Sequence, residues 1–108
     1  MNTKTAPQQR PLTLRVVGDL ISTNAQGVRK EIDELFGNSE TAPFSCSTLR
    51  LDLSEAQMVD SVGLNLIVFL LKRVQKLGAK LQVAYSSPNV LRTFTFTRLD
   101  RHLELLKV

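Results

Sequence analysis

Strand-like and helix-like periodicities alternate along this chain from residue 12 to its end, and that alternation restricts the fold more than any other feature. Leu12, Leu14 and Val16 alternate with Thr13 and Arg15, the period of a half-buried strand. Val28, Ile32, Leu35 and Phe36 then recur at helical spacing, after a Thr23-x-x-Gln26 capping box and before a Gly37-Asn38 stop. Ser39 to Ser47, with Pro43, reads as a loop. Leu49, Leu51 and Leu53 alternate with Arg50 and Asp52 as a second strand. A second helix begins near Ser61 and ends at Gly78. Its stripe of Leu64, Ile67, Leu71 and Val74 is widened by Leu66, Val68, Phe69 and Leu70, which predicts first turns buried nearly all round. Leu81, Val83 and Tyr85 mark a third strand, and Leu103 with Leu105 a last one. Between them Ser87-Pro88 is a helix start, with Ser87 as cap and Pro88 in the first turn. Thr93 to Thr97 alternates like a strand, but Val90, Leu91, Phe94 and Thr97 also share a helical face. The start signal at Ser87-Pro88 decides for helix.

The order strand, helix, strand, helix, strand, helix, strand predicts an α/β single domain. Its core is a central, mostly parallel sheet of about four strands with three main helices and right-handed crossovers. In such a sheet every helix that follows a strand begins outside the carboxyl ends of the strands. Thr23, Ser61 and Ser87 are therefore expected on one rim. A chain of 108 residues has room for one core. We expect the domain to occupy residues 12–108, behind a flexible polar arm from Met1 to Pro11.

The longest mainly apolar run, Leu64 to Leu71, is interrupted by Asn65. It falls far short of the roughly 20 residues of a membrane span, so no span is expected. The polar N-terminus has no apolar signal core, and the single cysteine, Cys46, excludes an internal disulfide. The expected compartment is the cytoplasm. Hydrophobic residues make up 43% of the chain, which excludes a disordered protein.

The net charge of +4 is unevenly spread. Residues 1–60 hold six basic and eight acidic side chains, whereas residues 61–108 hold eight basic and two acidic ones. Lys72, Arg73, Lys76 and Lys80 lie at and just past the end of the second helix, where cations suit the helix dipole. They also leave open a small nucleic-acid or anionic-lipid binder, although a nucleic-acid reader usually adds stacking aromatics to its basic face. Enzyme chemistry finds little support. There is no phosphate-cradling glycine loop, and Gly18 and Gly27 are too far apart for a dinucleotide fingerprint. His102 has no second metal ligand spaced near it, Cys46 has no local basic partner, and Asp52 reads as a strand-end residue bracing the following turn. We expect no cofactor and no metal site.

What remains is Asp60-Ser61-Val62-Gly63-Leu64 at the start of the second helix. Asp60 or Ser61 can accept from a free amide of the first turn, and Gly63, lacking a Cβ, lets another backbone or a phosphate come close. A hydroxyl here is exposed and preoriented. Phosphorylation would add about −1.5 to −2 charges at the positive end of the helix dipole, which the fold tolerates. A partner pressed on the same rim would have to desolvate that dianion beside Asp60, at a cost of several kcal/mol. From these residues alone a helix cap with no further role is the plainer reading; a phosphorylated hydroxyl here would switch binding without unfolding the domain.

Three runs carry a resemblance: Leu49-Arg50-Leu51-Asp52-Leu53-Ser54, Val59-Asp60-Ser61-Val62-Gly63-Leu64, and Lys76-Leu77-Gly78-Ala79-Lys80-Leu81. Together with Val16-Val17-Gly18-Asp19-Leu20, Ser87-Pro88 and Leu99-Asp100, they resemble the STAS domain (sulfate transporter and anti-sigma factor antagonist) over roughly Leu12 to Leu106. Within that family the chain resembles the stand-alone bacterial anti-sigma factor antagonists. Where that group commonly carries an acidic residue just after the Leu20 match, this chain has Ile21.

The resemblance implies a partner-switching protein. Unphosphorylated, it would bind an anti-sigma factor serine kinase of the histidine-kinase-like ATPase fold and free the sigma factor. Phosphorylation at Ser61 would release it, and a PP2C-type phosphatase would restore it. ATP and magnesium would belong to the kinase, and this chain would be ligand and substrate rather than enzyme. The expected partner-binding residues are Ser22, Thr23, Asn24, Asp60, Ser61, Val62, Gly63, Asn65 and Ser87. An alternative implied by the same family is a STAS accessory subunit of a transporter ATPase or signalling assembly, with Ser61 only a contact.

Overall fold

The computed structural model describes residues 12–36 and 48–108. The expectations placed on Met1–Pro11, Gly37-Asn38, Ser39–Ser47 and Cys46 lie outside the described residues.

Four strands and three helices alternate: β1 (Leu12–Arg15), α1 (Ala25–Phe36), β2 (Thr48–Leu53), α2 (Ser61–Lys76), β3 (Lys80–Tyr85), α3 (Pro88–Phe96) and β4 (Glu104–Lys107), with a 3-10 turn at Leu99–Arg101 before β4. Every strand pair is parallel and the spatial order is β1-β2-β3-β4. When parallel strands are laid down in sequence order, each right-handed crossover returns its helix to the same face of the sheet. The core agrees. Leu49, Leu51, Leu53, Leu81 and Val83 of the sheet share one buried cluster with Val28, Ile32 and Phe36 of α1, Leu70 and Val74 of α2, and Val90 and Phe94 of α3. The register sets Leu49 beside Leu81 and Leu51 between Leu14 and Val83, so the leucines form continuous rows under the helices. The alternate positions carry a polar ladder. Arg50 Nε donates to Gln82 Oε1 at 3.1 Å, and Gln82 Nε2 to Glu104 Oε1 at 2.9 Å.

The ambiguous segment Thr93–Thr97 is helical through Phe96. The hydroxyls of Thr93 and Thr97 donate back to the carbonyls of Asn89 and Thr93, which absorbs their polarity within the helix. Three expectations are corrected. α1 begins at Ala25, and the residue before it is Asn24; Thr23 lies in the preceding turn, with no capping bond to the helix. The first turns of α2 are not buried all round, since Ser61, Val62 and Asn65 are exposed and Leu64, Val68 and Phe69 only half-buried. One face of α2 meets β3 and α1, and the other is left to solvent. Leu103 precedes β4, which starts at Glu104.

Candidate functional site

The three loops that leave the carboxyl ends of β1, β2 and β3 are tied into one surface by short polar side chains. Gly18 turns the chain with φ +78°, a left-handed value that favours glycine. Asp19 then reaches across to the β2–α2 loop, where its Oδ1 accepts the amides of Gln57 at 2.7 Å and Met58 at 3.2 Å. Leu20 drops fully into the core and pairs in parallel with Val59, extending the sheet by one isolated bridge. Its amide donates to Met58 O and its carbonyl accepts from Asp60 N. Asn24 closes the turn that follows. Its Oδ1 accepts the Ile21 amide at 2.9 Å and its Nδ2 donates to Asp19 O.

Asp60 is the cap of α2, which settles the choice between Asp60 and Ser61. Its Oδ1 accepts the Gly63 amide at 2.9 Å and its Oδ2 accepts the Ser22 amide at 3.0 Å. These bonds, led by that from Gly63, hold its carboxyl below the ordinary aspartate value, so it is ionised at neutral pH. Asp52, at the end of β2, braces the turn by accepting the Ser54 amide at 2.9 Å. Burial pushes its carboxyl up, and the Ser54 bonds with the nearby Arg15 and Arg50 bring it net below its ordinary value. Glu55, three residues on, pairs with Arg15.

Gly63 is buried because α2 sits directly on the β1 exit. A Cβ there would lie 2.3 Å from the Leu20 carbonyl oxygen. The close approach that glycine allows is thus by the protein's own backbone, and Gly63 offers no surface to a ligand.

Ser61 occupies the first position of α2 and is exposed. Its hydroxyl makes no hydrogen bond among the described residues, because Asp60 does the capping. Ser87 looks equivalent in sequence and differs in place. It is only 4% exposed; its Oγ accepts the Asn89 amide at 3.1 Å and donates to Gln57 O at 3.4 Å. Ser87 is therefore sealed beneath the rim, with its hydroxyl taken up within the fold, and presents no contact surface there. Of the residues expected on this edge, Ser22, Thr23, Ser61, Val62 and Asn65 are exposed, Asn24 and Asp60 half-buried, and Gly63 and Ser87 buried.

The sequence reading missed the apolar character of this edge. Val17 is 76% exposed, Met58 53% and Val62 43%. Val17 could have been found from the strand period, since it follows the inward Val16 and must face out. From Val62 a groove of about 580 Å³ runs between α1 and α2, lined by Gln26, Arg29, Asn65, Leu66 and Phe69 among others. Arg29 stacks on the Phe69 ring at 4.0 Å from its centroid. The surface thus combines an exposed hydroxyl and a fixed carboxylate with apolar side chains and a groove, a mixture of polar and apolar groups found at protein interfaces. Among the described residues no group of His, Cys, Asp and Glu could hold a metal ion, and no helix is long and apolar enough to cross a membrane.

A family model described as "STAS domain" matches residues 2–107. Solved structures with the same fold include a candidate anti-sigma factor antagonist from Thermotoga maritima, with 22% identity, TM-score 0.72, and coverage of 89% of this chain and 80% of that one. SpoIIAA, an anti-sigma factor antagonist of Bacillus, is similar both unphosphorylated (15% identity, TM-score 0.63, 89% and 78% covered) and phosphorylated (16%, 0.63, 89% and 80%). A sulfate transporter family protein from Wolinella succinogenes matches at 13% identity and TM-score 0.70, covering 88% and 75%. No curated protein matches the chain in sequence.

Proposed function

The chain belongs to the STAS-domain family, and from that premise we propose that it is an anti-sigma factor antagonist switched by phosphorylation of Ser61. Unphosphorylated, it binds an anti-sigma factor serine kinase of the histidine-kinase-like ATPase fold through the edge formed by Ser22, Thr23, Asn24, Asp60, Ser61, Val62 and Asn65. The bound sigma factor, or an equivalent target, is freed. Transfer of the γ-phosphoryl group from ATP to the Ser61 oxygen, with loss of the hydroxyl proton, ends that binding. A PP2C-type phosphatase hydrolyses the ester and restores the bare hydroxyl. ATP and magnesium are the kinase's, and the protein acts in the cytoplasm as ligand and substrate rather than as catalyst.

One observation carries this reading: Ser61 is exposed at a helix start and its hydroxyl is not used by the fold, whereas Asp60, Gly63 and Leu20 fix the backbone beneath it. The hydroxyl can therefore be modified without unlocking the helix. The dianion so formed would stand next to an ionised Asp60, among the exposed apolar side chains Val62 and Met58. A partner covering them would have to desolvate two adjacent negative groups, and each ~1.4 kcal/mol of that cost is tenfold in affinity. The existence of SpoIIAA structures in both phosphorylation states supports the idea that such a fold accepts the group.

The test is incubation with the serine kinase and ATP, followed by mass-spectrometric mapping. The expected result is one phosphate on Ser61, none on the Ser61→Ala variant, and retained kinase binding by that variant. Phosphate on another residue would overturn the assignment. The similarity to a sulfate transporter family protein favours a second reading, an accessory subunit in which Ser61 is only a contact. Binding of the kinase that is indifferent to phosphorylation would support it.

A further inference from the structure

We propose that the opposite edge of the sheet, at the amino ends of β3 and β4, is a second docking surface for an acidic segment of a partner protein. It is independent of the Ser61 edge and does not rest on the reading above. Helices that begin at the carboxyl rim end at the opposite edge, so α3 delivers its last residues there. Phe96, its final residue, is 87% exposed, the most exposed of the large hydrophobic side chains among the described residues. Two residues on, Arg98 stands in the left-handed region at φ 64°, with no side-chain cap, at a position where glycine is the usual occupant. A cation is presented in a conformation that folding alone does not favour.

Between the end of α2 and the 3-10 turn lies a groove of about 470 Å³, lined by Gln75, Lys80, Arg101, His102, Leu103 and Glu104 among others. Lys72 and Lys76 flank Gln75 on α2, in its last turns. The ion pairs among the described residues involve Arg15, Arg29 and Arg73, so Lys80 and Arg101 in the groove and Arg98 before the 3-10 turn have no carboxylate partner, as is also true of Lys72 and Lys76 and of cations elsewhere such as Lys30 and Arg92. The acidic groups nearby are Asp100 and Glu104, and Glu104 already accepts from Gln82. The excess of basic over acidic side chains in residues 61–108 is thus gathered partly on one edge.

The occupant follows from this chemistry. Arg and aromatic residues, Phe among them, are enriched at protein interfaces, where Lys is depleted. A concave groove admits a protruding chain segment better than a flat bilayer. A single exposed aromatic is a thin stacking platform for the bases of a nucleic acid. A glutamate-rich segment with interspersed leucines can place its carboxylates on Lys80, Arg98 and Arg101 and an apolar side chain on Phe96.

The test uses the 108-residue chain, isotopically labelled, and a short synthetic peptide of glutamates and leucines. Amide-shift mapping is expected to move Lys80, Arg98, Arg101 and His102 and to leave Ser22 and Ser61 still, with affinity falling as salt rises. Arg101→Glu and Phe96→Ser should each weaken the peptide at least tenfold with unchanged melting temperature, since both side chains are exposed. Absence of peptide binding, or shifts at the Ser61 edge instead, would overturn the proposal. So would phosphatidylserine vesicles or duplex DNA binding these same residues more tightly than the peptide, which would reassign the surface to lipid or nucleic acid.

Discussion

Asp60 accepts the backbone amide of Ser22 at 3.0 Å with one carboxylate oxygen while the other caps α2, so one side chain joins two loops 38 residues apart in sequence. Ser61 sits next to that joint without taking part in it. One neighbour holds the backbone and the other is free, so on the proposed reading a phosphate on Ser61 would leave the joint intact.

The joint is pH-dependent. The folded carboxyl of Asp60 lies below its ordinary value of 3.8, so its contribution to stability is complete above that value and disappears as pH falls through the folded one. Asp52 follows the same sign. Wild type should therefore be more stable than Asp60→Ala at neutral pH, and the difference should shrink below about pH 4. Urea unfolding across pH measures it; a difference that grows on acidification would contradict the assigned hydrogen bonds.

Gly63→Ala should be among the more damaging conservative changes in the chain. The added methyl meets the Leu20 carbonyl oxygen at 2.3 Å, and backbone on both sides leaves no flexible group to yield. We expect a loss of about 1–3 kcal/mol, the range for overpacking, with faster hydrogen exchange at Asp60 and Leu64 as α2 lifts from the β1 exit. Chemical denaturation of the purified variant reads the first quantity.

Ser61 and Ser87 should behave as opposites. Ser87→Ala removes the cap of α3 and a contact to Gln57 O, and should cost about 0.5–2 kcal/mol in stability while leaving kinase affinity unchanged. Ser61→Asp should leave the melting temperature nearly unmoved and weaken kinase binding at least tenfold, by calorimetry. A single carboxylate carries less charge than a phosphate, so the phosphorylated wild type should bind more weakly still.

Phe94 and Phe96 provide a contrast on one helix. Phe94 is fully buried in the core and Phe96 exposed. Phe94→Ala should lose about 3–5 kcal/mol and Phe96→Ala within about 0.5 kcal/mol, as measured by thermal unfolding.

Much of the fold was legible in the chain because its signals are local. The leucine alternation at Leu49, Leu51 and Leu53 gives β2 its buried face whatever lies elsewhere. Ser87-Pro88 starts α3 through its own φ and its own missing amide. Reading Thr93–Thr97 as helix succeeded because that start signal outweighed the β-propensity of threonine. The α1 start failed on the same ground: Thr23 and Gln26 fit a capping box, but Asn24 bonds back to Ile21 and Asp19 and sets the first turn one residue later.

The site was only half legible. The sequence alone determined the order of the elements, the shared rim of the helix starts and a hydroxyl at the mouth of α2, since each depends on residues a few positions apart. Tertiary structure alone decided that Ser61 is open and Ser87 sealed, that Gly63 faces Leu20 rather than a ligand, and that Phe96 stands exposed at the end of α3 while Phe94 is buried. Those outcomes depend on which distant segment lies overhead — Gln57 above Ser87, Leu20 against Gly63 — and chain periodicity carries no record of contacts made across the fold.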